Sequence, residues 1–240
     1  MPERSLVIVP TYNEKDSIAT AVQRLFDAVD ESVDLLVVDD GSPDGTAEIV
    51  KGLAAGEPRI HLLERTSKLG LGDAYKTGFR WALDRGYTAI VEMDADLSHD
   101  PADVPRFLAA LDTADLVIGS RYIPGGKVVN WSSFRESLSR NGNRYAGFWL
   151  RFGVKDATSG FRAFRSSILE GIDLDAVASQ GYGFQIEMVR RVFLDGGRIT
   201  EIPITFVERA AGSSKMSRRI VGEALYGVTK WGIKDRFRSK

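Results

Sequence analysis

The sequence predicts an α/β protein: a central, mostly parallel sheet with helices on both faces. Two observations predict it. Short unbroken apolar runs recur along the first half of the chain, and each is followed by a segment whose apolar residues have helical spacing. Strands buried on both faces and joined by helices belong to parallel sheets, because the crossover helices are what cover them.

The elements follow in order. Residues 6–9 form a first apolar run, and Ile18, Val22, Leu25 and Phe26 give residues 13–27 a helical period. A strand is expected over 35–38, a helix over 44–53, a strand over 60–63, a helix over 73–85 and a strand over 89–93. A helix over 101–111 and a strand over 116–119 complete the regular part. After Arg121 the rhythm breaks at Pro124-Gly125-Gly126, a turn followed by a long polar and aromatic segment. A helix over 185–194, a strand over 198–207 and a basic C-terminal helix are expected beyond it. No repeat, low-complexity stretch or linker divides the 240 residues, so a single domain over 1–240 is expected.

Composition narrows the chemistry. There is no cysteine, which removes disulfides, thiol nucleophiles and thiolate metal sites and fits a reducing cytoplasm. With two histidines as well, a zinc centre is not expected. No apolar stretch is long enough to span a bilayer, and an N-terminus that enters a strand at once predicts no leader peptide. Residues 1–100 hold 10 Lys/Arg against 19 Asp/Glu, whereas 101–240 hold 22 against 14. The front half therefore suits a cation or polar hydroxyls, and the back half suits phosphates or an anionic surface.

Polar groups follow three of the apolar runs: Pro10-Thr11-Tyr12-Asn13-Glu14, then Asp39-Asp40-Gly41-Ser42-Pro43-Asp44, then Asp94-Ala95-Asp96. Ligands of parallel sheets collect at the carboxyl ends of the strands, where all three groups would converge. Asp94 and Asp96 are two apart, so an extended backbone points both to one side. One or two carboxylates, completed by waters and phosphate oxygens, are what Mg²⁺ or Mn²⁺ takes. A lone Asp-x-Asp is better explained by a strand-ending turn that caps the next helix; its two polar companions reverse that in favour of the metal. Of Asp39 and Asp40, which face opposite ways, one is expected to meet ligand, while Asp44 caps the next helix.

The runs Ile8-Val9-Pro10-Thr11-Tyr12-Asn13-Glu14, Val38-Asp39-Asp40-Gly41-Ser42-Pro43-Asp44-Gly45-Thr46, Lys68-Leu69-Gly70-Leu71-Gly72 and Met93-Asp94-Ala95-Asp96-Leu97-Ser98-His99 resemble family 2 glycosyltransferases. With Gly119-Ser120-Arg121-Tyr122, Thr158-Ser159-Gly160-Phe161-Arg162 and Gly212-Ser213-Ser214-Lys215, the ordered set is similar to the polyprenyl-phosphate (dolichyl-phosphate) mannose synthases. The resemblance implies the GT-A nucleotide-diphospho-sugar transferase fold, with residues 1–122 as donor-binding half and 123–240 as acceptor-binding half. It implies transfer of mannose from GDP-mannose to a polyprenyl monophosphate with inversion. Pro10, Tyr12, Glu14, Val38 and Asp40 would hold the nucleoside, and Asp94, Ala95 and Asp96 the diphosphate. Asp94, Asp96 and Ser98 would hold Mg²⁺ or Mn²⁺, with Ser98 a hydroxyl where some relatives carry an amide. Arg121, Arg209 and Lys215 would meet donor phosphates or the moving sugar, making these three and Asp96 the expected catalytic set. Arg135 and Ser139 would meet the acceptor phosphate.

Such an acceptor implies work at the cytoplasmic face of a membrane, on the surface itself or through a membrane partner protein. On one helix, Leu138, Tyr145, Phe148, Trp149 and Phe152 fall within about 100° of one another, opposite Arg140, Arg144 and Arg151. That pattern fits either an interfacial helix or a helix packed on the core. Gly70-Leu71-Gly72 lacks the third glycine of a dinucleotide fingerprint and fits close packing. The basic segment 209–240 could contact nucleic acid, but the acidic front half argues against it. The competing functions are a family 2 enzyme using UDP-glucose or a hydroxyl acceptor, a nucleotidyltransferase, and a non-catalytic nucleotide-binding module. A nucleotidyltransferase would show a glycine-rich, basic first loop, which residues 10–14 are not.

Overall fold

A computed structural model describes residues 4–67, 70–208 and 218–238. Its main sheet has seven strands in the order β3-β2-β1-β4-β7-β5-β8. These are β1 (Ser5–Thr11), β2 (Val33–Asp39), β3 (Ile60–Glu64), β4 (Ala89–Glu92), β5 (Leu116–Ser120), β7 (Arg162–Arg165) and β8 (Ile199–Pro203). All run parallel except β7, which is antiparallel to both β4 and β5. A two-stranded ribbon, β6 (Lys127–Val129) with β9 (Thr205–Val207), stands beside it.

Each central strand is buried on both faces, so successive residues feed opposite cores. Leu6, Ile8, Leu36 and Val38 pack with Tyr75 and Phe79 of α3 (Leu71–Leu83) and with residues of α5 (Ser133–Leu150), α7 (Tyr182–Leu194) and α8 (Arg218–Arg238). Val7, Val9, Leu35 and Val37 pack on the other side, against α1 (Ile18–Ala28), α2 (Thr46–Ala54) and α4 (Val104–Ala110). The short helix α6 (Ser166–Glu170) follows β7.

The expected strands and helices of the first half are present, with shifted ends. The first helix begins at Ile18 rather than 13, because residues 12–17 are spent on a loop tied to the turn after β2. The run 198–207 is two strands, not one. Ile204 separates them, donating its N–H to the Ser120 carbonyl, and the halves join different sheets. The expectation that Asp94 and Asp96 share a face of an extended strand also fails. β4 ends at Glu92, and Leu97 has a left-handed backbone (φ 63°), so the motif is a bend.

The aromatic face on α5 is divided. The helix ends at Leu150, Phe152 is buried beyond it, and Tyr145 and Trp149 pack against the core. Phe148 is exposed, as is Phe134 in the first turn. Packing therefore takes the stripe's inner edge and leaves its outer edge free.

Strand β7 carries an unforeseen charge into the middle of the sheet. Arg162 is fully buried and sits opposite Glu92 in the ladder. Its guanidinium donates to the carbonyls of Ala157, Ser159 and Gln185, each at 2.7 Å. Burial pushes Glu92 up to about 7 against the opposing charge of Arg162. A carboxyl raised this way binds its proton more tightly folded than unfolded, so it withdraws stability as pH rises from 4.5 to about 7. Glu92→Gln is expected to flatten that part of the stability–pH curve, measured by chemical denaturation across the window.

Candidate active site

The edge formed by the carboxyl ends of β1, β2 and β4 is organised by hydrogen bonds between its loops. Asp39, at the end of β2, accepts from Ser42 N–H (2.8 Å), Ser42 Oγ (2.6 Å) and Thr11 Oγ1 (2.8 Å). It is therefore a structural carboxylate that closes its own turn. Ser42, Asp44 and Thr46 accept from the backbone N–H groups of Asn13, Lys15 and Glu14, which pins the loop after β1. Asp44 also receives Thr46 N–H at 3.1 Å in the turn before the helix, whose cap is Gly45 rather than the expected Asp44.

Asp40, the next residue, lies at the same edge and is buried. Arg65, following β3, holds it through Nε at 3.2 Å from Oδ1. Val38 is fully buried, while Pro10 near the end of β1 and Tyr12 and Glu14 on the loop after it are partly exposed. Asp40 and the Asp94–Asp96 bend follow strands separated only by β1. That is two strand spacings, roughly 10 Å.

In the bend, Asp94 and Asp96 are partly exposed and Ala95 is buried. Asp96 accepts from Ser98 N–H at 3.0 Å, and the Asp94 N–H donates to His99 Nδ1 at 3.2 Å. His99 is buried and stacked on Phe161. Its ring acts as a brace behind the bend. Ser98 Oγ is buried and has no hydrogen-bond partner among the described residues. No cluster of three or more Asp, Glu, His or Cys occurs among the described residues. Two carboxylates fit a hexacoordinate Mg²⁺ or Mn²⁺ that draws its remaining oxygens from water and phosphate.

After β5, Arg121 enters a buried polar knot. Its Nε and Nη2 donate to the two oxygens of Asp156 at 2.7 Å each, and Nη2 also reaches Thr158 Oγ1 at 3.0 Å. Asn143 of α5 donates to Thr158 Oγ1 at 3.0 Å. Burial alone would push the Asp156 carboxyl up, but the guanidinium overrides it and holds it below the usual carboxylate range. The turn at Gly126 comes so close that a Cβ there would lie 2.4 Å from the Ser120 carbonyl oxygen. Only glycine lets this loop close on Arg121.

Beyond the knot opens a cavity of about 360 Å³ between α5, α7 and α8. Arg121, Arg135 and Ser139 line its polar part, and Leu138, Tyr145, Ile186, Leu225 and Val228 its apolar part. Ser139 accepts from Tyr122 Oη at 2.7 Å. Arg135 lies over the Trp131 ring at 4.2 Å and is ion-paired with Glu208.

The structure thus gathers Pro10, Tyr12, Glu14, Val38, Asp40, Asp94, Ala95, Asp96 and Ser98 at one edge. It joins Arg121, Arg135 and Ser139 around one cavity. Arg209 and Lys215 lie outside the described residues, as does part of the 68–72 run. In that run Gly72 packs closely: a Cβ would stand 2.9 Å from the Ser179 carbonyl oxygen. Sequence reasoning missed Asp156, Asn143, Glu208 and the role of Arg162. Arg162 opens a four-residue strand, Arg162–Arg165, where no strand was expected, and nothing local marks the others.

The chain is similar to proteins already known. The model of the family described as Glycosyl transferase family 2 matches residues 6–173. An undecaprenyl-phosphate mannosyltransferase of Micrococcus luteus is 55% identical over 98% of this chain and 96% of its own. A polyprenol monophosphomannose synthase of Mycolicibacterium smegmatis is 51% identical over 98% and 89%. Among solved structures, glucosyl-3-phosphoglycerate synthase of Mycobacterium tuberculosis, crystallised with Mn²⁺, UDP and glucosyl-3-phosphoglycerate, has a similar fold (TM-score 0.71, 20% identity, 95% of this chain and 79% of that one).

Replacing Asp156 with Asn would strand the Arg121 charge in a site only 4% exposed. Loss of one partner of a buried pair costs about 3–5 kcal/mol. Denaturant titration of Asp156→Asn is expected to show a loss of that order.

Proposed function

The chain belongs to glycosyl transferase family 2 and is a glycosyltransferase of the GT-A fold, and from that membership we propose that it transfers mannose from GDP-mannose to a polyprenyl monophosphate. The cavity carries this reading of the acceptor. Its apolar walls suit a hydrocarbon chain and its cationic end suits a phosphate, while the carboxylate edge stands ready for a nucleotide. The names of the two relatives point the same way.

In this reading Pro10, Tyr12, Glu14, Val38 and Asp40 hold the nucleoside. Asp94 and Asp96 hold Mg²⁺ or Mn²⁺, with Ser98 beside them. When bound, the ion neutralises charge on the leaving diphosphate. Arg121, fixed by Asp156, directs positive potential at the transferred group, and Arg209 and Lys215 add to it. Arg135 and Ser139 orient the acceptor phosphate. One of its oxygens attacks the anomeric carbon from the face opposite the diphosphate. The new C–O bond forms as the sugar–diphosphate bond breaks, its electron pair leaves with GDP, and the anomeric centre inverts. A phosphate monoester has its second pKa at about 6, so near neutrality it is already mostly a dianion and needs no general base.

The substrate is a membrane lipid in this account, although no helix among the described residues is long and apolar enough to cross a bilayer. Exposed Phe134, Phe148, Tyr226 and Phe237 on α5 and α8 supply apolar contact beside basic residues, which suits work at a membrane surface or against a membrane partner.

The deciding assay incubates the protein with a prenyl phosphate, Mg²⁺ or Mn²⁺, and labelled GDP-mannose beside UDP-glucose. Label from GDP-mannose is expected in the organic phase; label from UDP-glucose alone would refute the donor. Asp96→Asn is expected to abolish transfer while the protein stays folded by circular dichroism, and retained turnover would refute its role. Gly142 lines the cavity with open space around its Cβ position. Gly142→Phe is therefore expected to raise KM for the prenyl phosphate about tenfold or more, with KM for the donor unchanged.

A further inference from the structure

Among the polar side chains lining the cavity, Arg121, Ser139 and Arg135 are each held differently. Arg121 is bound on two nitrogens by a fully buried carboxylate. Ser139 is taken by a tyrosine hydroxyl. Arg135 is matched by Glu208, and here both side chains keep contact with water, 22% and 35% exposed. A buried bidentate pair resists opening by a ligand. A part-exposed pair is weak and exchangeable.

The backbone fixes where Glu208 sits. Val207 N–H donates to the Ser98 carbonyl beside the acidic bend, and Glu208 N–H donates to the Val129 carbonyl beside Trp131. The residue therefore bridges the seam between the carboxylate edge and the mouth of the cavity. Its carboxylate lies on the same guanidinium that, in the function proposed above, receives the acceptor's phosphate.

We propose that Glu208 is a stand-in anion, occupying Arg135 until the acceptor phosphate displaces it, and so makes a phosphate charge the condition of entry. The inference rests on the acceptor reading. Guanidinium takes carboxylate and phosphate through the same fork of N–H donors, so the two compete directly. A phosphate near neutrality brings almost two charges and three acceptor oxygens, against one charge and two oxygens. It can win the exchange. An uncharged prenyl alcohol offers the guanidinium nothing in place of the broken pair, so the same hydrocarbon without phosphate is rejected. Because its own N–H and that of Val207 are tied to backbone carbonyls, the displaced carboxylate stays nearby and repels the incoming anion. Glu208 sets a threshold for binding.

The test is calorimetry on the full chain with farnesyl phosphate, without nucleotide or metal. The wild-type protein is expected to bind farnesyl phosphate and not farnesol. Glu208→Gln removes one part-exposed competitor and is expected to tighten farnesyl phosphate binding about three- to fivefold. In an Arg135→Gln background the same substitution is expected to change nothing, since the contested cation is gone. Unchanged or weaker binding by Glu208→Gln overturns the proposal. Equal tightening in both backgrounds also overturns it, because the effect is then diffuse charge. Failure of farnesyl phosphate to bind any variant does the same. No sugar donor enters the measurement, so a chain that binds as expected yet transfers no mannose refutes the proposed function instead.

Discussion

The constraint on which the site depends is that β1, β2, β4 and β5 all run the same way. Parallel strands deliver their carboxyl ends to one edge, so four loops far apart in sequence meet there. That direction is held across the centre by β7, which is antiparallel to both β4 and β5 and so lets them point alike without touching. Without β7 the acidic bend and Arg121 would have no common frame.

The edge then divides its charged groups by duty. Asp39, Asp44 and Asp156 are consumed by local hydrogen bonds and an ion pair, each satisfying N–H groups or a guanidinium. They cost little to bury because they are paired. Asp40, against Arg65, and Asp96, on the Ser98 N–H, sit at the same edge with Asp94. A polar residue near a strand end is therefore not a ligand by position alone.

The two halves differ in how they are built. The carboxylate edge is a rim of loops on the sheet. The second site is a cavity between helices, with aromatic and aliphatic walls and a polar end. An amphipathic acceptor needs such a split environment, since its two ends demand opposite solvents.

The sequence by itself determined the alternation of strands and helices, the parallel sheet and the polar strand ends. Those are local properties: an apolar run of a given period has few places to go, and its flanking residues travel with it. It also held the ordered motifs by which the family was recognised. Only the tertiary structure decided that Asp39 closes its own turn, since Ser42 and Thr11 claim its carboxylate. The same holds for Asp156 on Arg121, 35 residues away, and for Glu208 on Arg135, 73 residues away. Partners so distant leave no spacing to read, because chain folding sets their meeting and no period in the sequence encodes it. For the same reason the aromatic stripe of α5 was legible, but the division of its residues between core and surface was not. That division depends on where α8 packs.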